Sequence, residues 1–129
     1  MQRPINVTGN RTSKVESLTP AEVAGIMEED GKESVVILDV REPWEYESDT
    51  GHVKDSVLIP MNQVPENLEK IRELAKKRIG VICNSGERSF YTCRYLQDNG
   101  ITNVFNVEGG IIKWLLSGLE VEYGAVRAE

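Results

Sequence analysis

Cys83 stands where a sulfur nucleophile would be built. The apolar run Ile79 to Ile82 reads as a short buried strand, and Cys83-Asn84-Ser85-Gly86-Glu87-Arg88-Ser89 follows it directly. An amphipathic helix then starts at about Arg88. Gly86 lets the backbone curl where a side chain would obstruct it. The unpaired N–H groups at the start of the helix are left pointing back at the Cys83 sulfur. Such donors stabilise a thiolate, and equally any sulfur anion or oxyanion attached to it. The expected chemistry is nucleophilic attack by Cys83 inside a loop formed by Asn84, Ser85, Gly86, Glu87, Arg88 and Ser89. Arg88 could orient loop carbonyls or a substrate anion, or stand in solvent at the helix start. Ser89 could donate a hydrogen bond to the sulfur or cap the helix.

The other candidates read as support. Asp39 and Arg41 are expected to pair, with each other or with loop groups, and hold the pocket wall. Cys93 lies ten residues past Cys83 on the helix, near Leu96, and reads as core filler. A resolving role would require it to swing more than a helix turn. His52 is a tempting base, but a thiolate attacks unaided. Trp114 stands at helical spacing from Ile111 and reads as core; Gly109-Gly110 reads as a close-approach turn.

The elements that must position these residues alternate strand and helix. Thr19-Pro20-Ala21-Glu22 is a helix start, with threonine as cap, proline in the first turn and glutamate three residues on. Val23, Ile26 and Met27 give that helix an apolar face, and Gly31 ends it. Ser34 to Val40 is a β-branched run suited to a strand buried on both faces, followed by a helical turn at Pro43 to Glu47. Val57 to Ile59 is a second strand and Ile79 to Ile82 a third. Pro65 to Arg78 carries helical spacing, with Lys76, Lys77 and Arg78 complementing the dipole at its end. Val104 to Val107 is a fourth strand and Ile111 to Leu116 a last helix. The pattern predicts an α/β fold, a mostly parallel central sheet with helices on both faces. Ligands bind outside the carboxyl ends of such strands, where Asp39, Arg41, Cys83 and Glu108 to Gly110 all fall.

Three segments together carry a family resemblance. Cys83-x-x-Gly86-x-Arg88-Ser89 resembles the active-site loop of rhodanese-type sulfurtransferases. Leu38-Asp39-Val40-Arg41-Glu42-Pro43-x-Glu45-Tyr46 with Gly51-His52-Val53, and Val107-x-Gly109-Gly110-Ile111-x-x-Trp114-x-x-x-Gly118, agree with it in order and spacing. The resemblance implies a single rhodanese-like domain over residues 16–122, between a loosely ordered arm (1–15) and a polar tail (123–129). It implies that Cys83 attacks the outer sulfur of a donor such as thiosulfate and carries a persulfide. A thiol or a sulfur-carrier protein is the implied acceptor. It also implies a scaffold role for His52, in an element packed behind the loop. The chain departs from the family at Asp55-Ser56, at Val121 and at Glu87, whose charge in the loop should handicap a small dianionic donor. Two other readings stay open. One is a rhodanese-fold binding or regulatory module. The other is a phosphatase or arsenate reductase, although those resemble Cys-x5-Arg and this loop is one residue shorter.

Composition limits the alternatives. A chain of 129 residues with 40% hydrophobic and 28% charged content fits one globular domain. A net charge of −6 argues against nucleic-acid binding. No apolar run approaches about 18 residues, so no membrane is expected. Two cysteines and one histidine are too few for a disulfide framework or a zinc site. No cofactor or metal is expected; the polar first fifteen residues do not resemble a signal peptide, and a reducing cytoplasm, where a lone thiol stays available, is the expected setting.

Overall fold

The capping box at Thr19 forms as its spacing requires. Glu22 N–H donates to Thr19 Oγ1 at 3.1 Å and Thr19 N–H to Glu22 Oε1 at 2.8 Å. This computed structural model describes residues 14–125. In chain order the elements are β1 (Ser17–Leu18), α1 (Pro20–Asp30), β2 (Val35–Asp39), α2 (Pro43–Tyr46), β3 (Val57–Leu58), α3 (Leu68–Leu74), β4 (Arg78–Ile82), α4 (Glu87–Asp98), β5 (Val104–Val107) and α5 (Gly110–Leu116). No described helix is long and apolar enough to cross a membrane.

The strands form one sheet in the order β1-β5-β4-β2-β3, and every pairing in it is parallel. Its middle strand is β4, which sets Val81 opposite Leu38 on one side and Asn106 on the other. Period-two alternation splits the core into two layers. Leu38, Val40, Ile79, Val81 and Val104 pack with Ile71 of α3 and with Cys93 and Leu96 of α4. Val35, Ile37, Ile82, Phe105 and Val107 pack with Val23 of α1 and with Ile111 and Trp114 of α5. Each fully buried leucine or isoleucine contributes about 1.5–3 kcal/mol. The two layers therefore clamp β4, and with it the start of the loop that holds Cys83.

Three features differ from the sequence reading. The helix expected over Pro65 to Arg78 is only α3, preceded by 3₁₀ turns at Met61–Gln63 and Pro65–Asn67. Arg78 is not a helix-end cation. It opens β4 opposite Val35, pairs with Glu16 at 2.7 Å and lies 5.1 Å over the Phe105 ring. The carbonyls of Ala75 and Lys77 are tied to the Asn103 amide, which turns the chain into the strand. The edge strand β1 went unforeseen, because two residues carry no alternation. The arm expected over 1–15 lies outside the described residues up to position 13, and the tail lies outside them from 126.

Candidate active site

Cys83 follows the last residue of the central strand, and two glycine-permitted approaches shape its loop. Gly110 has φ 61° and lies so close beneath the loop that a Cβ there would collide with the Cys83 and Asn84 carbonyls. The opening amides of α5 therefore reach those carbonyls, Ile111 N–H to Cys83 O at 2.9 Å and Ile112 N–H to Asn84 O at 3.2 Å. These two bonds fix the opening of the loop on α5. Gly86, with φ 106°, completes the curl.

The donors converge on sulfur. Gly86 N–H lies 3.1 Å from Cys83 Sγ and Ser89 N–H 3.4 Å; the Ser89 hydroxyl lies 3.3 Å away. Ser89 stands in the first turn of α4, so the twelve-residue helix also directs its positive end at the sulfur. Cys83 is only 1% exposed, yet its sulfur faces the loop amides. Burial excludes bulk water and strengthens each of these contacts.

Cys93 has the opposite surroundings. It is fully buried in the apolar layer, and burial, with a smaller contribution from Cys83, pushes its thiol up to about 12. It is core filler, and both cysteines are free.

Arg88 sends both terminal nitrogens to Glu45, at 2.7 and 2.8 Å. That hydrogen bond is the main reason the Glu45 carboxyl titrates below its ordinary value despite burial, and it raises the Arg88 guanidinium. Glu45 is held in turn by a buried anchor. Asp39 and Arg41, both fully buried, pair through Nε and Nη2 at 2.9–3.2 Å. The remaining Arg41 donors go to Glu45 O, Thr50 Oγ1 and Gly51 O. Every Arg41 N–H is thus used, and the guanidinium locks residues 45–51 so that Glu45 meets Arg88.

The other predicted residues divide. Asn84 is half-buried, while Ser85 and Glu87 are exposed on the loop's outer side. His52 stacks on Tyr46, rings 3.8 Å apart, shares a hydrogen bond with Tyr46 O, and pairs by backbone with Glu122. Trp114 is buried and donates to Glu120 O. Two residues at the site were given no role from sequence. Glu45 lies 43 positions from its partner. Asn106, buried on β5, accepts from Ser89 Oγ at 2.6 Å; its one signal was a polar residue inside an apolar strand. Among the described residues no three of His, Cys, Asp or Glu gather as metal ligands.

The comparisons agree with this geometry. The family model described as "Rhodanese-like domain" matches residues 19–117. A sulfurtransferase from Allochromatium vinosum is 34% identical over 89 residues, 69% of this chain and 79% of that protein. A tRNA uridine(34) hydroxylase from Salmonella arizonae is 32% identical over 75% of this chain, which spans only 27% of that protein. The crystal structure of a rhodanese-related protein from Thermoplasma volcanium superposes with TM-score 0.70 at 31% identity, covering 84% of this chain and 99% of that one. The chain belongs to the rhodanese-like domain family.

Proposed function

We propose that this protein is a sulfurtransferase that carries a sulfane sulfur on Cys83. The Cys83 thiolate attacks the outer sulfur of a donor, forming one S–S bond while the donor's own S–S bond breaks. With thiosulfate the leaving group is sulfite; with a persulfide it is a thiolate. A thiol, cyanide or sulfur-carrier acceptor then bonds to the outer sulfur, and the electron pair of the breaking Cys83 S–S bond returns Cys83 to the thiolate. The sulfane sulfur keeps its oxidation state throughout, so no external oxidant or reductant enters.

The convergence of two amide N–H groups on Cys83 Sγ carries this reading. Those donors favour an anionic sulfur in the thiolate and persulfide states alike. The sulfurtransferase relative supports it at the level of the family. Asn84, Ser85 and Glu87 form the outer loop wall, and Asp39 and Arg41 hold the platform behind it. The cation that a small dianion would seek, Arg88, is engaged by Glu45, and Glu87 adds a negative charge at the rim. A persulfide or protein donor therefore fits better than thiosulfate. A reducing compartment such as the cytoplasm suits a chain with two unpaired thiols.

Intact-mass measurement after exposure to glutathione persulfide and to thiosulfate tests this. The expected result is a gain of one sulfur atom, lost on adding a thiol acceptor and absent in Cys83→Ser. If neither donor loads the wild-type chain, the domain is a binding module instead.

A further inference from the structure

Behind the sulfur runs a short polar chain that the reaction outlined above leaves unused. Asn106 is buried on β5, in the layer otherwise made of Val104, Val81 and Leu38. Its Oδ1 accepts from Ser89 Oγ at 2.6 Å, and its Nδ2 donates to Ser17 Oγ at 3.3 Å on the edge strand β1. Ser89 Oγ is in turn 3.3 Å from Cys83 Sγ. Four side chains, from the loop after β4 and from α4, β5 and β1, are thereby joined in series from the sulfur to the edge of the sheet. A buried amide in an apolar layer is costly unless its polar atoms are paired, and here both are, to Ser89 and Ser17.

The hydroxyl of Ser89 has one proton. While that proton goes to Asn106 Oδ1, Ser89 shows a lone pair to the sulfur, which suits a thiol donating its S–H. A thiolate or persulfide needs the reverse. We propose that Asn106 is a positioning residue for sulfur transfer, its amide turning over to reverse the direction of the Ser89 hydroxyl when the Cys83 sulfur becomes anionic. After the turn Nδ2 donates to Ser89 Oγ, Ser89 donates to sulfur, and the Ser17 hydroxyl donates to Oδ1. The amide oxygen and nitrogen exchange places, so no backbone atom moves. The thiol proton leaves to solvent; none passes through the amide.

The charged and titratable groups around Cys83 are Arg88 with its partner Glu45, the Asp39–Arg41 pair, and Cys93, which burial keeps protonated. None of them touches Asn106 in the chain of contacts above; a carboxylate placed there adds its own repulsion of a sulfur anion, so an uncharged variant is compared beside it. The inference rests on Cys83 working as a sulfur anion, but its test needs no sulfur transfer.

The test is the pH–rate profile of Cys83 alkylation by iodoacetamide, followed by peptide mass. Asn106→Asp keeps the shape but can only accept. Its profile should move to higher pH by about one unit, slowing the neutral-pH reaction roughly tenfold. Asn106→Leu adds no charge but removes the Nδ2 donor behind Ser89, so its neutral-pH rate should fall about threefold, less than in Asn106→Asp. Ser89→Ala, which removes the relay's contact with sulfur and leaves a small, easily filled site, should slow alkylation at neutral pH severalfold. A wild-type profile in Asn106→Asp overturns the proposal. Should that variant not fold, an unchanged profile in Ser89→Ala does so instead. Loading of sulfur in wild type alongside either unchanged profile would refute the relay alone, whereas failure to load with the shifts present would refute sulfur transfer alone.

Discussion

The two cysteines of this chain are equally buried and chemically unlike. Cys83 is 1% exposed and Cys93 0%. They belong to the same apolar layer, ten residues apart. Cys83 receives two amide N–H groups, at 3.1 and 3.4 Å. Cys93 faces hydrocarbon, and its thiol is pushed up to about 12. Burial therefore does not set thiol chemistry by itself. Desolvation penalises an anion only where nothing replaces the lost water; at the loop, fixed amides replace it, and mid-helix they do not. The difference originates in the backbone, since every mid-helix N–H already has a partner while those of the first turn do not.

The largest disturbance of this contrast should come from Gly110→Ala, which touches neither cysteine's side chain. Its methyl would collide with the Cys83 and Asn84 carbonyls at a positive φ. Shifting them by about 1 Å should lower kcat/KM for sulfur transfer roughly a hundredfold. Cys93 should stay as inert as before, and a Gly110→Ala enzyme with wild-type turnover would show that α5 does not shape the loop.

Glu45→Gln should have the next largest effect. It leaves Arg88 without its carboxylate partner, at a stability cost of about 1–2 kcal/mol for a partly buried pair. Because the Glu45 carboxyl titrates below its ordinary 4.5 when folded, its contribution is present above that pH and lost as pH falls through the lowered value. Denaturant melts below pH 4.5 should therefore lose less stability in Glu45→Gln than in wild type. Freed Arg88 should also raise kcat/KM for thiosulfate several-fold relative to a persulfide donor; an unchanged donor ratio would remove Arg88 from anion recognition.

These two residues also show where the sequence was legible. The loop, the strand before it and the Gly109-Gly110 turn could be read because each is local: a periodicity, a capping pattern, a residue pair fit for positive φ. The parallel sheet followed from alternation. Glu45 could not be assigned to Arg88, because their meeting depends on Arg41 locking residues 45–51 from below. Asn106 could not be assigned to Ser89, because that contact exists only once β5 lies beside β4. Arg78 was misread for a related reason. Its helical spacing was overridden by pairing in the central sheet, which depends on strands far away in the chain.

Cys93→Ala sharpens the contrast from the inert side. Folded Cys93 stays protonated from the ordinary 9.0 up to about 12, whereas the unfolded thiol ionises above 9. Its stabilisation is thus complete below pH 9 and lost as pH rises across that window, by up to about 1.4 kcal/mol per unit. The alanine variant should lose stability less steeply between pH 9 and 11, with sulfur loading unchanged at neutral pH. Equal alkaline slopes would mean that Cys93 is better solvated than its packing indicates.

The smallest effect belongs to Glu87→Gln. Its side chain is exposed, so the gain in kcat/KM for thiosulfate should be about twofold at low ionic strength and vanish near 0.15 M salt. A gain that persists in salt would place the Glu87 charge inside the site rather than at its rim.

Loop amides, not exposure, make one buried sulfur reactive. Competitive labelling of the native chain with iodoacetamide at neutral pH, resolved by peptide, measures it directly. Cys83 should be labelled at least about a hundredfold faster than Cys93, and faster than a free cysteine peptide. Equal labelling of the two, or a Cys83 slower than the free peptide, would contradict it.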